Sequence, residues 1–312
     1  MTVIRSIALT IAALSATAAF AADNWYPSKY GAADTIGAAN NLSPAASLAA
    51  AKLVKLGKVY SLGVVTGRDT PAYPPRTYQI VITQSNDGTG QLLGSNQATA
   101  NDDILMSYVG IGSQLDGLGH VGVNHLYYNG KHAKDFVAPD GLKKYGTESV
   151  PPIATRGVLL DMAKLLKAKQ LPAGRVFNRA EIEAAEKAAG VTIGKGDVVL
   201  FHTGWQSLAT TNKTKFMGGE PGLGKEGAAL LAARGVVAVG ADTWAVEAIP
   251  FEIKTEAFPV HQILLARNGV YILENMNTAA LAADGATEFL FVLGQPKFQG
   301  AVQATINPVA IR

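Results

Sequence analysis

Gln114, Asp116 and His120 fall within seven positions of one another, in Gly110-Ile-Gly-Ser-Gln-Leu-Asp-Gly-Leu-Gly-His120. An amide, a carboxylate and an imidazole are donors that hold a divalent ion or move a proton. Residues two apart on an extended strand share a face, so a strand through Gln114 and Asp116 would aim both groups one way. His120 follows Gly117 and Gly119, where the chain can bend and bring the ring in from another direction. Taken alone, the same residues also suit a glycine-rich loop with a polar strand end and a surface histidine.

A second set of candidates lies far downstream. Val260-His261 opens a run ending at Ile272-Leu-Glu274-Asn275, with the glutamate thirteen positions after the histidine. Gln262 to Arg267 fits a helical turn broken at Gly269, and Val270-Tyr-Ile-Leu273 a strand that delivers Glu274 at its end. A surface histidine and a helix-capping glutamate are the plain alternative. His202-Thr-Gly-Trp205 emerges from the apolar run Asp197 to Phe201, which marks Trp205 as a candidate pocket wall, with Tyr128 a second aromatic candidate for contacting substrate. His125 and His132 flank Tyr127-Tyr-Asn-Gly130 as loop or rim residues. Asp102 and Asp103 are adjacent and would point to opposite faces of a strand, so they fit a solvated turn better than one metal site.

The elements that must carry these residues alternate between strand and helix. Ser43-Pro44 caps a helix expected over 45–56 and ended by Gly57. Strands are expected at Lys58 to Val65, Tyr78 to Thr83, Ile104 to Val109, Gly157 to Leu160, Asp197 to Phe201 and Val236 to Val239. Asn178 and Glu181 start a helix running to Gly190, and Ala228 to Ala233 is helical. This pattern predicts an α/β fold, a mixed sheet with flanking helices and a loop-rich N-terminal half.

The chain has 312 residues, 48% apolar and 16% charged, ample for a buried core. A net charge of +3 with no Lys/Arg block excludes a nucleic-acid or anionic-membrane surface. Residues 1–22, with Arg5, the apolar stretch to Phe20 and Ala19-Phe-Ala21, predict a secretory signal peptide, hence a periplasmic or secreted protein with no membrane segment after its removal. Residues 23–312 are then expected to form a single domain. With no cysteine, the chain has neither disulfides nor thiolate ligands, so a metal must take histidine, carboxylate and amide oxygen. No Gly-x-Ser-x-Gly nucleophile elbow is present.

The glycine-rich segment resembles the signature of the cyclase or kynurenine formamidase-like family of metal-dependent hydrolases, His-x-Gly-Thr-His-x-Asp-x-x-x-His. Gly112, Ser113, Asp116 and His120 stand at its Gly, Thr, Asp and last His, while Gly110 and Gln114 replace its first two histidines. The stretch is similar letter for letter to a branch written Gln-x-Asp-Gly-Leu-x-His. Asp34-Thr-Ile-Gly37, Asn40-Asn-Leu-Ser-Pro44, Gly57 to Leu62, Gly157 to Asp161, Gly196 to Leu200, His202 to Trp205, Gly240 to Thr243 and His261 to Asn275 resemble the family's other blocks in the same order.

That resemblance implies a swivelling β/β/α fold and one divalent ion, zinc or manganese, held by Asp116, His261 and Glu274, with Gln114 as an amide-oxygen ligand or a neighbour of the ligands. The glycine at 110 implies loss of a second ion. The implied reaction is hydrolysis of a C–N or C–O bond in a small amide, cyclic amide, formamide or lactone by a metal-bound water, with His120 as general base. Two carboxylates blunt the acidification of that water, which in histidine-only sites reaches about 7 from roughly 15.7, so a nearby base is valuable. Dimers or tetramers are common in the family. The competing readings are a secreted binding protein with this fold and no turnover, and a partner-binding protein with no site.

Overall fold

The computed structural model describes residues 25–83 and 90–312, and the signal peptide expected over residues 1–22 lies outside them. Along the chain run strands β1 (Val59–Ser61), β2 (Tyr78–Ile82), β3 (Asp103–Ser107), β4 (Gln114–Asp116), β5 (Ile153–Asp161), β6 (Val198–His202), β7 (Ala238–Ala241), β8 (Tyr271–Glu274), β9 (Glu288–Leu293), β10 (Gln303–Thr305) and β11 (Val309–Ile311). The longest flanking helices are α1 (Pro44–Ala51), α2 (Arg179–Ala189) and α3 (Lys225–Arg234).

All of these strands except β2 and β3 join in one mixed sheet, ordered β1-β11-β9-β5-β6-β7-β8-β4-β10. Strands β5 to β8 are parallel, and their neighbours on both sides are antiparallel. Alternate residues of the central strands feed two apolar layers. Leu159, Val198, Leu200 and Leu273 pack on one face; Val158, Leu160, Val199, Phe201 and Ile272 pack on the other. Burial on both faces is what a parallel centre requires, and it explains why these strands are continuous apolar runs in the sequence.

Local signals set several boundaries. Ser43 Oγ accepts from Ala46 N at 3.1 Å, starting α1 with Pro44 in its first turn. The helix stops at Ala51 rather than continuing to Leu56, because the chain there turns to meet the C-terminus, Leu56 N donating to Arg312 O. Glu181 reaches back to Asn178 N at 3.0 Å and α2 ends at Gly190, φ +69°. The strand expected over 58–65 narrows to β1. Among the described residues, strands β2 and β3 pair only with each other, forming a ribbon whose Ile82, Ile104, Leu105 and Met106 are exposed. Asp102 and Asp103 are solvated, as their adjacency suggests.

The site depends on β4, which lies between β8 and β10. In its register Glu274 faces Gln114, and Asp116 faces Gln303. Directly opposed residues share a face of the sheet, as do residues two apart. Four polar side chains from three strands are therefore gathered on one surface.

Candidate metal centre

Asp116, His261 and Glu274 converge, each offering a ligand atom within 4.8 Å of the other two. All three are buried. The two acids come from β4 and β8. The histidine ends the short helix Pro259–His261, which continues into a π-helical stretch at Gln262–Arg267. The turn expected there is present, but in the widened form that recurs at functional sites.

Glu247 holds the His261 ring. Its Oε1 lies 2.5 Å from Nδ1 and also accepts the His261 backbone N–H, while Oε2 accepts from Val260 N. Donation from Nδ1 leaves Nε2 as the nitrogen facing Glu274 Oε1 at 3.2 Å and Asp116 Oδ2 at 3.6 Å. A carboxylate behind a histidine, fixing its tautomer, is the usual support of a metal-bound imidazole. Glu247 follows Val246, which adopts φ +61°, a costly conformation for a β-branched residue. Buried Glu220 braces the same loop by accepting from Trp244 N and Ala245 N.

Gln114 lies between the two acids. Its amide nitrogen is 2.7 Å from Glu274 Oε2 and 3.2 Å from Asp116 Oδ1. Its amide oxygen Oε1 is buried and, among the described residues, has no hydrogen-bond partner, so the arrangement accommodates both roles the sequence reading gave Gln114, an oxygen ligand or a neighbour of the ligands. Gln303 Nε2 adds a bond to Asp116 Oδ1 at 2.7 Å. Burial opposes ionisation of Asp116, but His120, His261 and Gln303 outweigh it and bring its carboxyl down to about 2. Burial and the charge on Asp116 push Glu274 up to about 7. For His261, Asp116, Glu247 and Glu274 overcome the cost of burial and hold the ring well above its ordinary value.

These residues fit a divalent cation. Among the described residues, Asp116 Oδ2 is buried without a hydrogen-bond partner, beside His261 Nε2. Asp116, Glu220, Glu247 and Glu274 are four buried acids in one neighbourhood, and unpaired buried charge is expensive. Oxygen and imidazole donors of this kind suit zinc or manganese.

Next to the cage is a cavity of about 200 Å³ whose lining includes His120, Arg76, Tyr73, Trp244 and Phe258 as well as His261 and Glu274. The His120 and His261 rings are 6.2 Å apart. Burial lowers the His120 pKa, with help from the positive charges of His261 and Arg76, against the pull of Asp116. The Tyr73 ring lies 5.8 Å from Trp244 and 6.2 Å from Phe258, and Phe258 meets His261 edge-on at 5.3 Å. A Cβ at position 110 would come within 2.5 Å of Gln303 Oε1 and 2.8 Å of Arg76 Nη1, the ends of two flexible side chains that would have to swing aside.

The two aromatics expected to contact substrate lie elsewhere. Trp205 does not line this cavity; it is buried against Leu208, Ala209 and Phe216, its Nε1 donating to Phe216 O. Trp244, whose Nε1 donates to the same carbonyl, is the indole at the wall. Tyr128 is a core residue bonded through its hydroxyl to Asp34 and Ser28. His125 and His132 pair with each other, rings 5.9 Å apart, outside the cavity lining. Glu247, Arg76, Gln303 and Trp244 are the residues sequence reasoning missed. None belongs to a local motif, and only the strand register could have drawn attention to Gln303.

The Cyclase family model matches residues 60–248. A crystal structure described as a novel cyclase is 28% identical, covers 93% of this chain and 99% of its own, and superposes with a TM-score of 0.82. An isatin hydrolase bound to the product analogue thioisatinate is 19% identical, covers 86% and 98%, and gives a TM-score of 0.62. A protein described as a potential metal-dependent hydrolase with cyclase activity is 16% identical, covers 81% and 98%, and gives a TM-score of 0.53. No curated protein gives a significant match.

Proposed function

The chain belongs to the cyclase family, and from that premise we propose a metal-dependent hydrolase that opens a carbonyl–nitrogen or carbonyl–oxygen bond in a small amide, formamide or lactone. The observation carrying this reading is the convergence of Asp116, His261 and Glu274 beside a cavity that the His120 imidazole also lines. A divalent zinc or manganese ion on those three residues would polarise the acyl oxygen and make water more acidic.

The protein's own groups do the rest. His120, kept neutral by burial, accepts a proton from the water that adds to the acyl carbon. It returns that proton to the departing nitrogen or oxygen as the bond breaks, leaving a carboxylic acid and an amine or alcohol. Glu247 fixes the His261 tautomer, and Gln114 and Gln303 keep the acids in place. A cavity of about 200 Å³ is small against the roughly 300–1,000 Å³ of sites for drug-sized ligands, so it suits a substrate of one or two rings.

The test is a panel of aryl formamides, cyclic amides and lactones, isatin among them, assayed before and after chelation and after return of zinc or manganese. Turnover that disappears with the metal and comes back with it supports the reading. Stoichiometric metal with no turnover across the panel favours a binding protein instead. A homo-oligomer is part of the same proposal, supported by the exposed apolar β2–β3 ribbon, which a second copy would cover. Light scattering of the wild type and of Ile104→Lys with Met106→Lys tests it; a monomer in both refutes it.

A further inference from the structure

Arg76 approaches the site from a loop far from the glycine-rich segment in sequence, and it occupies the room left by the missing side chain at 110. Its Nη1 donates to Gly110 O at 2.5 Å. A guanidinium has five N–H donors and stays charged at every working pH. Among the described residues that carbonyl is its hydrogen-bond partner, so most of its donors are uncommitted. It lines the same cavity as His120, Glu274 and the ring wall of Tyr73, Trp244 and Phe258. Its charge reaches Glu274 and His120 across the cavity, while among the described residues no carboxylate lies within ion-pairing distance of the guanidinium. A guanidinium with uncommitted donors at the edge of a small aromatic cavity is a built receptor for an anion on a ring.

We propose that Arg76 is the anion-binding residue of this cavity, taking the carboxylate of an aromatic acid whose ring lies against Tyr73, Trp244 and Phe258. The inference rests on the hydrolase reading for its biological sense, since hydrolysis of an aromatic acyl compound leaves such a carboxylate, but not for its geometry. Paired N–H donors on a planar fork match a carboxylate's two oxygens, which a lysine cannot reproduce. Arg76 thereby selects substrates whose reacting carbonyl sits on or beside a ring, and it retains the product after the bond is cut.

Benzoate is the probe, with benzamide as its neutral counterpart of the same shape, and tryptophan fluorescence reports binding because Trp244 lines the cavity. Both the protein as purified and the chelator-stripped protein are titrated, so that a carboxylate held by metal is distinguished from one held by Arg76. Benzoate should bind both forms at least about tenfold more tightly than benzamide, and Arg76→Gln should remove that preference while leaving benzamide unchanged. Arg76→Lys should recover only part of it. Equal binding of the two probes by the wild type overturns the proposal, as does benzoate binding that survives in Arg76→Gln or that appears only with metal present. If Arg76→Gln fails to fold, the wild-type comparison and Arg76→Lys still decide. Absence of hydrolysis with the benzoate preference intact would refute the hydrolase reading and leave this inference standing.

Discussion

Glu247 and His261 form the tightest contact of the centre, carboxylate oxygen to ring Nδ1 at 2.5 Å, and it determines which imidazole nitrogen faces the two acids. Glu247→Gln keeps the shape but weakens this control of the tautomer. Metal affinity should fall roughly 10–100-fold, measured by competition with a fluorescent chelator. An unchanged affinity would mean that Asp116 and Glu274 position the ion unaided.

His120 is expected to move protons and not to hold metal. His120→Ala should lower turnover by about 10²–10⁴-fold with metal content intact by elemental analysis. Loss of the metal in that variant would reassign His120 as a ligand.

Glu274 couples the centre to pH. Its carboxyl, ordinarily near 4.5, is raised to about 7 by burial and by Asp116. A raised folded-state value means that the metal-free folded protein retains a proton the unfolded chain releases. This contribution to stability is fully present below about 4.5 and is lost as pH climbs through 7. Metal must displace that proton and the one held on His261, so affinity should be at least about tenfold lower at pH 6 than at pH 8, with proton release visible by calorimetry in buffers of different ionisation heat. Equal affinities at the two pH values, or a pH dependence unchanged in Glu274→Gln, would contradict the assignment of Glu274 as a ligand.

Returning the family's histidine to position 110 should be harmful. Gly110→His places atoms where the flexible ends of Gln303 and Arg76 sit, so these must move away from Asp116 and from the Gly110 carbonyl, and losing those hydrogen bonds costs about 1–3 kcal/mol by denaturant titration. Adding Arg76→Ala should recover part of that loss, because neighbouring sites couple. If the single variant is as stable as the wild type, the space is more open than the contacts at 110 indicate.

Asp116, His261 and Glu274 were legible together because the Gln-x-Asp-Gly-Leu-x-His run and the downstream blocks resemble a known family. Donor chemistry and spacing alone leave His261 and Glu274 with a surface histidine and a capping glutamate as the plain alternative. The buried central strands were legible too, as apolar runs, though not that they pair in parallel. What stayed hidden depends on long-range approach. Arg76 lies in a proline-rich loop and Glu247 in a strained turn, and neither has a periodic neighbour that points at the site. The two tryptophans show the limit well. A strand end made Trp205 the more visible aromatic, yet its indole turns inward to Phe216 O, and Trp244 takes the wall. Helix α1 was drawn too long because only the tertiary pairing of Leu56 with Arg312 ends it early.

Gln114 grips one oxygen of Asp116 and one of Glu274, so these acids are tethered to each other before any ion arrives. The centre behaves as a socket and not as a clasp that closes around its contents. Emptying it should leave a folded protein that reloads quickly, and the enzyme could pass through metal-poor surroundings without having to refold.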